Sequence, residues 1–158
     1  MSTTPGTATA FPRPAFATLW RSYRGNAALQ LCTTAYDNRC AIRVSEALIV
    51  AGWPADAFAD PRYGGKTSPH GCARGAQDLA AFLRKVWGNR DHGWTARSSA
   101  TDAPIDALIK KGVIAFMNIP GFAGQGHVDL WDGTKAVDQR TKTGQYWHAQ
   151  TIWLWTLR

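Results

Sequence analysis

Apolar side chains recur at helical spacing along four stretches of the first 111 residues. The apolar positions there lie three or four residues apart, the period that places them on one face of an α-helix. A glycine follows each stretch, and glycine is common just past the end of a helix. The pattern therefore predicts helices over residues 16–23, 38–51, 72–87 and 104–111.

In the C-terminal third the pattern changes from helical to strand spacing. Residues 113–117 form a continuous apolar run of strand length, and residues 151–157 are rich in aromatic and β-branched side chains. Residues 126–131 alternate between two faces, with His127 and Asp129 on the more polar one. Helices followed by an antiparallel sheet predict an α+β fold, with the cysteine-bearing second helix at its centre.

Length and composition predict one globular domain behind a short tail. The chain has 158 residues, 45% of them apolar and 18% charged, which supplies one core and argues against disorder. Residues 1–14 are expected to form a flexible tail and residues 15–158 a single domain. The tail lacks the basic start and apolar centre of a signal peptide, and no run approaches the ~20 apolar residues of a membrane span. We therefore expect no membrane insertion, and either a cytoplasmic location or export without a cleaved signal.

The charge of the chain predicts an anionic partner. Its formal net charge is +7, which suits a nucleic acid, a cell-wall polymer, a membrane surface or an acidic protein. The lysines and arginines are scattered, without a basic stripe interleaved with aromatic residues, and this argues against nucleic acid. The chain also contains eight tryptophans, a residue type that fills cores and lines binding grooves.

Two cysteines are candidates for a reactive thiol, because each stands at the start of a predicted helix. The positive end of a helix dipole favours the thiolate, which is the nucleophilic form. Cys40 is favoured over Cys72 because its helix is the more apolar and is expected to be more buried. A small buried apolar side chain is the alternative role for either residue. Cys32 lies in a predicted loop, and a Cys32–Cys72 disulfide is the pairing that leaves Cys40 as a thiol.

His127 is the histidine whose position best fits a general base. It stands on a strand face with polar neighbours, after a glycine-rich turn, and a purely structural histidine is the alternative. A base needs an orienting carboxylate, usually from a separate element. Asp138, eleven residues further on, fits a returning neighbouring strand and is favoured, with Asp129 on the same strand face as the alternative.

Metal and cofactor sites find no support in the motifs. The cysteines and histidines lack paired-cysteine spacing and the His-Glu-x-x-His pattern of zinc sites. The glycine-rich turn near residue 124 lacks the Lys-Ser/Thr pair and the helix of a phosphate loop. We expect no metal and no organic cofactor.

Three segments together resemble the fourth family of amidase effectors of bacterial type VI secretion. The resemblance covers the chain from about residue 16 to its C-terminus. The segments are NRCAIRVSEAL at 38–48, ARGAQDLA at 73–80 and GHVDLWDG at 126–133.

The resemblance implies an NlpC-like fold, a compact relative of papain, and a cysteine amidase. The implied substrate is the peptidoglycan stem peptide, cut between D-glutamate and diaminopimelate. Cys40 matches the nucleophile and His127 the base, and Asp138 matches the third member by its offset from the histidine. Cys72 has no catalytic counterpart in the family. The resemblance also implies a cognate immunity protein that blocks the site, and injection by the type VI apparatus into the periplasm of a target bacterium.

The substrate groove and two alternative functions complete the expectations from the sequence. Trp131 and the long loop over residues 52–71 are expected to line the groove, although core packing is the commoner role for tryptophan. A different papain-like hydrolase, such as a wall-remodelling enzyme or a peptidase, would share Cys40 and His127. A basic binding module without catalytic activity is the other alternative.

Overall fold

The computed structural model describes residues 11–24, 40–69, 71–95, 110–121, 126–133 and 144–158. These residues contain three α-helices: α1 (Phe16–Arg24), α2 (Cys40–Val50) and α3 (Ala76–Trp87). They also contain four strands: β1 (His92–Trp94), β2 (Gly112–Met117), β3 (His127–Trp131) and β4 (Thr151–Thr156). Two short 3-10 helices, Ala57–Ala59 and Gly144–His148, complete the described elements.

The four strands form one antiparallel sheet in the order β1-β4-β2-β3. Phe116 of β2 is paired with His127 of β3 on one side and with Ile152 of β4 on the other. The helices pack on one face, where α2 contacts β3, α3 contacts β2 and β3, and α1 packs against α2. The predicted α+β architecture of helices on an antiparallel sheet is confirmed.

Apolar residues cover the sheet on both faces. The core between sheet and helices includes Leu19, Leu48, Phe82, Val113, Val128 and Leu130. The core on the opposite face includes Ile114, Phe116, Trp131, Trp147, Ile152 and Leu154. All five residues of β3 are therefore buried, including the polar residues that the alternating pattern places on one face.

The predicted helices and strands agree with the structure, with two differences. The third helix starts at Ala76 rather than Cys72, because Ala73 is held outside the helix by a β-bridge with Thr67. Strand β1 lies between the helices predicted over residues 72–87 and 104–111, where no element was predicted, since three residues are too few to show a period. The helix predicted over residues 104–111 lies almost wholly outside the described residues. None of the described helices is long and apolar enough to cross a membrane.

The predicted flexible tail is wrong for residues 11–14. Phe11 is buried and packs edge-to-face on Trp53, with ring centroids 5.1 Å apart. Arg13 forms a 2.6 Å ion pair with Asp91 and donates to the carbonyl oxygen of Trp87 at 2.9 Å. Aromatic burial and these polar contacts hold the segment against the domain.

Three aromatic residues of the predicted loop pack into the core. Trp53, Phe58 and Tyr63 are buried, and each has ring contacts with Phe82 of α3. The loop therefore supplies an aromatic cluster that supports α3. The expectation that it lines the substrate groove finds no support in these positions.

Candidate active site

Cys40 is the first residue of α2 and is partly exposed. Its Sγ atom lies 4.0 Å from the carbonyl oxygen of Gly126, just before β3. The helix start thus meets the sheet at its β3 edge.

Gly126 is required where the helix start approaches the sheet. Its φ of +116° is a conformation that residues with a side chain rarely adopt. A Cβ atom at this position would also collide with the carbonyl oxygen of Phe116 on β2. The glycine therefore allows β2, β3 and the Cys40 thiol to come together.

His127 begins β3 and is 4% exposed. Its imidazole stacks on the ring of Tyr146, with centroids 4.1 Å apart and an angle of 8° between the planes. The ring of Phe116, its partner in the sheet register, lies 6.1 Å away. The two aromatic rings restrict the orientation of the imidazole.

Asp129 contacts His127 from two residues further along the same strand. The Nε2 atom of His127 lies 3.3 Å from Oδ2 of Asp129. The other carboxylate oxygen, Oδ1, accepts a hydrogen bond from the backbone N–H of Leu130 at 2.7 Å. Asp129 is only 1% exposed, so its carboxylate is held in place by these contacts and by burial.

The electrostatic surroundings favour a protonated His127. Burial alone lowers the pKa of a histidine, since it disfavours the charged form. Here hydrogen bonds to Asp129 and Cys40, together with the negative charges of both groups, outweigh burial and raise the pKa of His127 to about 9. The arrangement is a thiol, an imidazole and a carboxylate in hydrogen-bonded contact, with the imidazole protonated at neutral pH.

Tyr23 and Arg43 flank this site on the helical side, and sequence reasoning missed both. Burial raises the pKa of Tyr23, and the nearby charges of Asp129 and Cys40 raise it further, while Arg43 lowers it through its positive charge and a hydrogen bond. Tyr23 therefore stays a neutral phenol. Arg43 could have been identified from the sequence, because a residue three positions after Cys40 lies on the same face of the helix.

The structure brings together Cys40, His127 and Asp129 from the predicted set. Asp138 and Cys32 lie outside the described residues, so the third role of Asp138 stays a prediction. Cys72 is fully buried against Ile42 and does not begin a helix, which removes the reasons for considering it a nucleophile.

The prediction that Trp131 lines the substrate groove is wrong. Trp131 is 2% exposed and packs edge-to-face on Trp147, with centroids 5.8 Å apart. The 3-10 helix Gly144–His148 and the surrounding core cover the face of β3 on which it stands.

The sequence matches the model of a protein family over residues 36–155. That family is described as type VI secretion system (T6SS) amidase effector protein 4, or Tae4. The chain belongs to the Tae4 family. This confirms the resemblance noted from the sequence, and it makes the protein a T6SS amidase effector and a hydrolase at family level.

Solved Tae4 structures share the fold of this chain. The Tae4–Tai4 effector–immunity complex from Enterobacter cloacae matches with a TM-score of 0.69 and 23% identity, covering 93% of this chain and 100% of that one. Tae4 from Salmonella typhimurium, in complex with Tai4 from Enterobacter cloacae, matches with a TM-score of 0.70 and 20% identity, covering 92% and 100%. These matches show that the chain has the fold of the solved Tae4 proteins. No curated protein sequence matches the chain significantly.

Proposed function

We propose that this Tae4 protein is a cysteine amidase that cuts peptidoglycan stem peptides between D-glutamate and diaminopimelate. The observation that supports the chemistry is the contact of His127 with both Cys40 and Asp129 at the start of α2. The choice of bond rests on the family resemblance.

In the proposed reaction His127 holds the proton of Cys40, and the thiolate attacks the amide carbon. The backbone N–H of Cys40, at the helix start, donates to the oxyanion that forms. His127 then protonates the leaving amine of diaminopimelate, which leaves an acyl-enzyme thioester. Water deprotonated by His127 hydrolyses the thioester and restores the thiolate–imidazolium pair. The scheme requires no metal and no organic cofactor.

Two carboxylates are proposed to support His127. Asp129 is supported by its 3.3 Å contact with the imidazole Nε2 atom. Asp138 is supported by the family resemblance, which assigns the third role eleven residues after the histidine. We propose Asp138 as the third catalytic residue and Asp129 as the residue that positions the ring from within β3.

The proposed setting is the periplasm of a target bacterium, reached through the type VI secretion apparatus. A cognate immunity protein that blocks the active site is the proposed partner, in line with relatives solved as Tae4–Tai4 complexes. The net charge of +7 suits an acidic inhibitor, because opposite charges speed association and add specificity.

The experiment that tests this function is mass spectrometry of muropeptides after digestion of purified sacculi. We expect the wild type to release fragments ending in D-glutamate, and Cys40→Ala and His127→Ala to lose activity by at least about 10³-fold. Asp138→Ala and Asp129→Ala are compared in the same assay. Wild-type activity in Asp138→Ala would move the third role to Asp129.

Two outcomes would favour the other candidate functions. Cleavage of protein substrates but not of muropeptides would indicate a different papain-like hydrolase. Undiminished toxicity of a periplasm-directed Cys40→Ala variant would contradict any enzymatic role of this thiol and would favour a basic binding module.

A further inference from the structure

A cavity of about 490 Å³ lies on the flank of α3, outside the thiol–imidazole site. One stripe of the helix borders it, with Gln77, Ala81 and Arg84 at successive turns. The short side chain of Ala81 leaves the space open in the middle of this stripe. Met117 of β2 and Trp153 of β4 form the wall on the sheet side.

The rim of the cavity is basic. Arg84 and Lys85 are exposed there, and neither forms an ion pair with a carboxylate among the described residues. Neutral acceptors orient both side chains: Arg84 Nε donates to Oδ1 of Asn89 at 3.2 Å, and Lys85 Nζ donates to the carbonyl oxygen of Arg62 at 3.0 Å. Both cations thus keep donors for an anionic ligand.

The wall of the cavity is apolar and aromatic. Met117 is buried and Trp153 is partly exposed. The guanidinium of Arg90 lies 5.5 Å from the centre of the Trp153 ring, so a third positive charge accompanies the aromatic surface. No acidic residue is among the described residues that line the cavity. Such a lining fits a ligand with a flat apolar face, amide groups and carboxylates.

Met117, in the cavity wall, lies at the same end of the sheet as Gly126, because Phe116 is paired with His127 in the register between β2 and β3. The sheet order places β4, β2 and β3 side by side. Trp153 is on β4, Met117 is on β2, and Gly126 directly precedes β3. Adjacent strands are about 4.8 Å apart. Since the Gly126 carbonyl oxygen is 4.0 Å from Sγ of Cys40 and Met117 is on the adjacent strand, the near wall of the cavity lies on the order of 10 Å from the thiol.

We propose that this cavity is a second binding site for peptidoglycan, which holds the polymer beside the Cys40 site. The face of an N-acetyl sugar packs on Trp153 and Met117, and stem-peptide carboxylates bind Arg84 and Lys85. This inference rests on the proposed function. The volume of this partly open cavity is in the range of small-ligand pockets, about 300–1,000 Å³, which favours a sugar–peptide unit over a protein surface.

Co-sedimentation with purified sacculi tests the proposal in a Cys40→Ala background, where binding is measured without turnover. Ala81→Trp fills the cavity from an exposed helix position, and Arg84→Glu reverses a rim charge. Each is expected to weaken binding by about tenfold, Arg84→Glu through the loss of a hydrogen bond to a charged group and Ala81→Trp by occupying the space of the ligand. Circular dichroism melting verifies that both variants fold.

Matched controls come from α1, which packs against α2. Ala17→Trp and Arg21→Glu make the same changes at exposed helical positions outside the cavity. Sacculus binding is expected to stay at the Cys40→Ala level in both. Equal losses in the cavity and control variants would overturn the proposal, because they would indicate unspecific attraction by the net positive charge.

Two further results would overturn it. One is unchanged sacculus binding in both cavity variants. The other is a loss of immunity-protein binding in these variants while sacculus binding persists, which would assign the cavity to an acidic protein partner. Muropeptide release by the wild type is measured separately, so failure of the proposed hydrolysis and failure of the second site are read from different experiments.

Discussion

The Nε2 atom of His127 lies 3.3 Å from Oδ2 of Asp129, and both residues belong to one five-residue strand. Residues two apart on a strand share a face, so this imidazole–carboxylate contact does not depend on the register between strands. Its environment does depend on tertiary packing. Tyr146 and Phe116 enclose the ring, and the Cys40 thiol reaches it from α2.

Replacement of Asp129 by asparagine is expected to lower the pKa of His127 from about 9 towards the ordinary value. The change removes a negative charge and a charge-assisted hydrogen bond, which both favour the imidazolium. A proton NMR titration of the His127 ring measures the shift, with Asp56→Asn as an exposed control. An unchanged pKa would show that another group holds the ring proton.

The stability of the protein is expected to depend on pH between about 6.5 and 9. The pKa of His127 is raised from 6.5 in the unfolded chain to about 9 in the folded protein. Protonation therefore stabilises the fold fully below pH 6.5, and this contribution is lost as the pH rises through 9. Denaturant unfolding at several pH values measures it. The pH dependence of stability between about 6.5 and 9 should disappear in His127→Gln. If it persists in this variant, groups other than His127 cause it.

Hydrolysis is expected to fall as the pH rises through about 9, if the thiolate–imidazolium pair is the active form. Above this pH His127 loses the proton that the leaving amine requires. The pH profile of kcat/KM on muropeptides measures this limb, and Asp129→Asn should move it to lower pH. If the alkaline limb stays at the same pH in Asp129→Asn, the loss of activity at high pH is not due to deprotonation of His127.

Gly126→Ala is expected to destabilise the fold by about 2 kcal/mol or more and to reduce hydrolysis. The added Cβ collides with the carbonyl oxygen of Phe116, and the φ of +116° is strained for alanine. Thermal unfolding and muropeptide release measure the two effects. Gly64→Ala is the control, because a Cβ there meets no atom within 4 Å. Equal behaviour of the two variants would contradict the packing described at Gly126.

Phe11→Ala is expected to lower the free energy of unfolding by about 3 kcal/mol. The Phe11 ring is 6% exposed and packs on Trp53 and Phe82, so its loss leaves a cavity in the aromatic cluster. Urea unfolding measures the change, with Val50→Ala as a control because Val50 is 49% exposed. A change below about 0.5 kcal/mol, the usual size for surface sites, would mean that residues 11–14 do not belong to the folded domain.

Local patterns were sufficient to predict most of the elements and two members of the candidate site. Helix and strand periods, with glycine stops, located α1, α2, β2, β3 and β4 because these signals depend on neighbouring residues alone. A cysteine at the start of an apolar helix and a histidine at the start of a strand were visible for the same reason. The family was also recognisable, since its motifs are continuous segments.

The positions that sequence reasoning misjudged depend on what packs over them. Alternation assigns Trp131 to a face of β3, but only the 3-10 helix Gly144–His148 and its core decide that this face is buried. Phe11 carries no periodic signal, and it is buried because Trp53 and Phe82 provide a site for it. Cys72 was expected at a helix start, but the β-bridge between Thr67 and Ala73 moves the start of that helix to Ala76.

The sequence by itself determined the α+β order, the family, and the candidates Cys40 and His127, because these follow from local periods and contiguous motifs. Only the tertiary structure decided that His127 contacts Cys40 and Asp129 together and that its pKa is raised. Those properties arise from burial and from charges on α2 and β3. These two elements meet where Cys40 contacts Gly126, and the two residues are 86 positions apart in the chain. Contacts between residues so far apart in the chain depend on how the helices and strands pack, and local sequence patterns do not predict them.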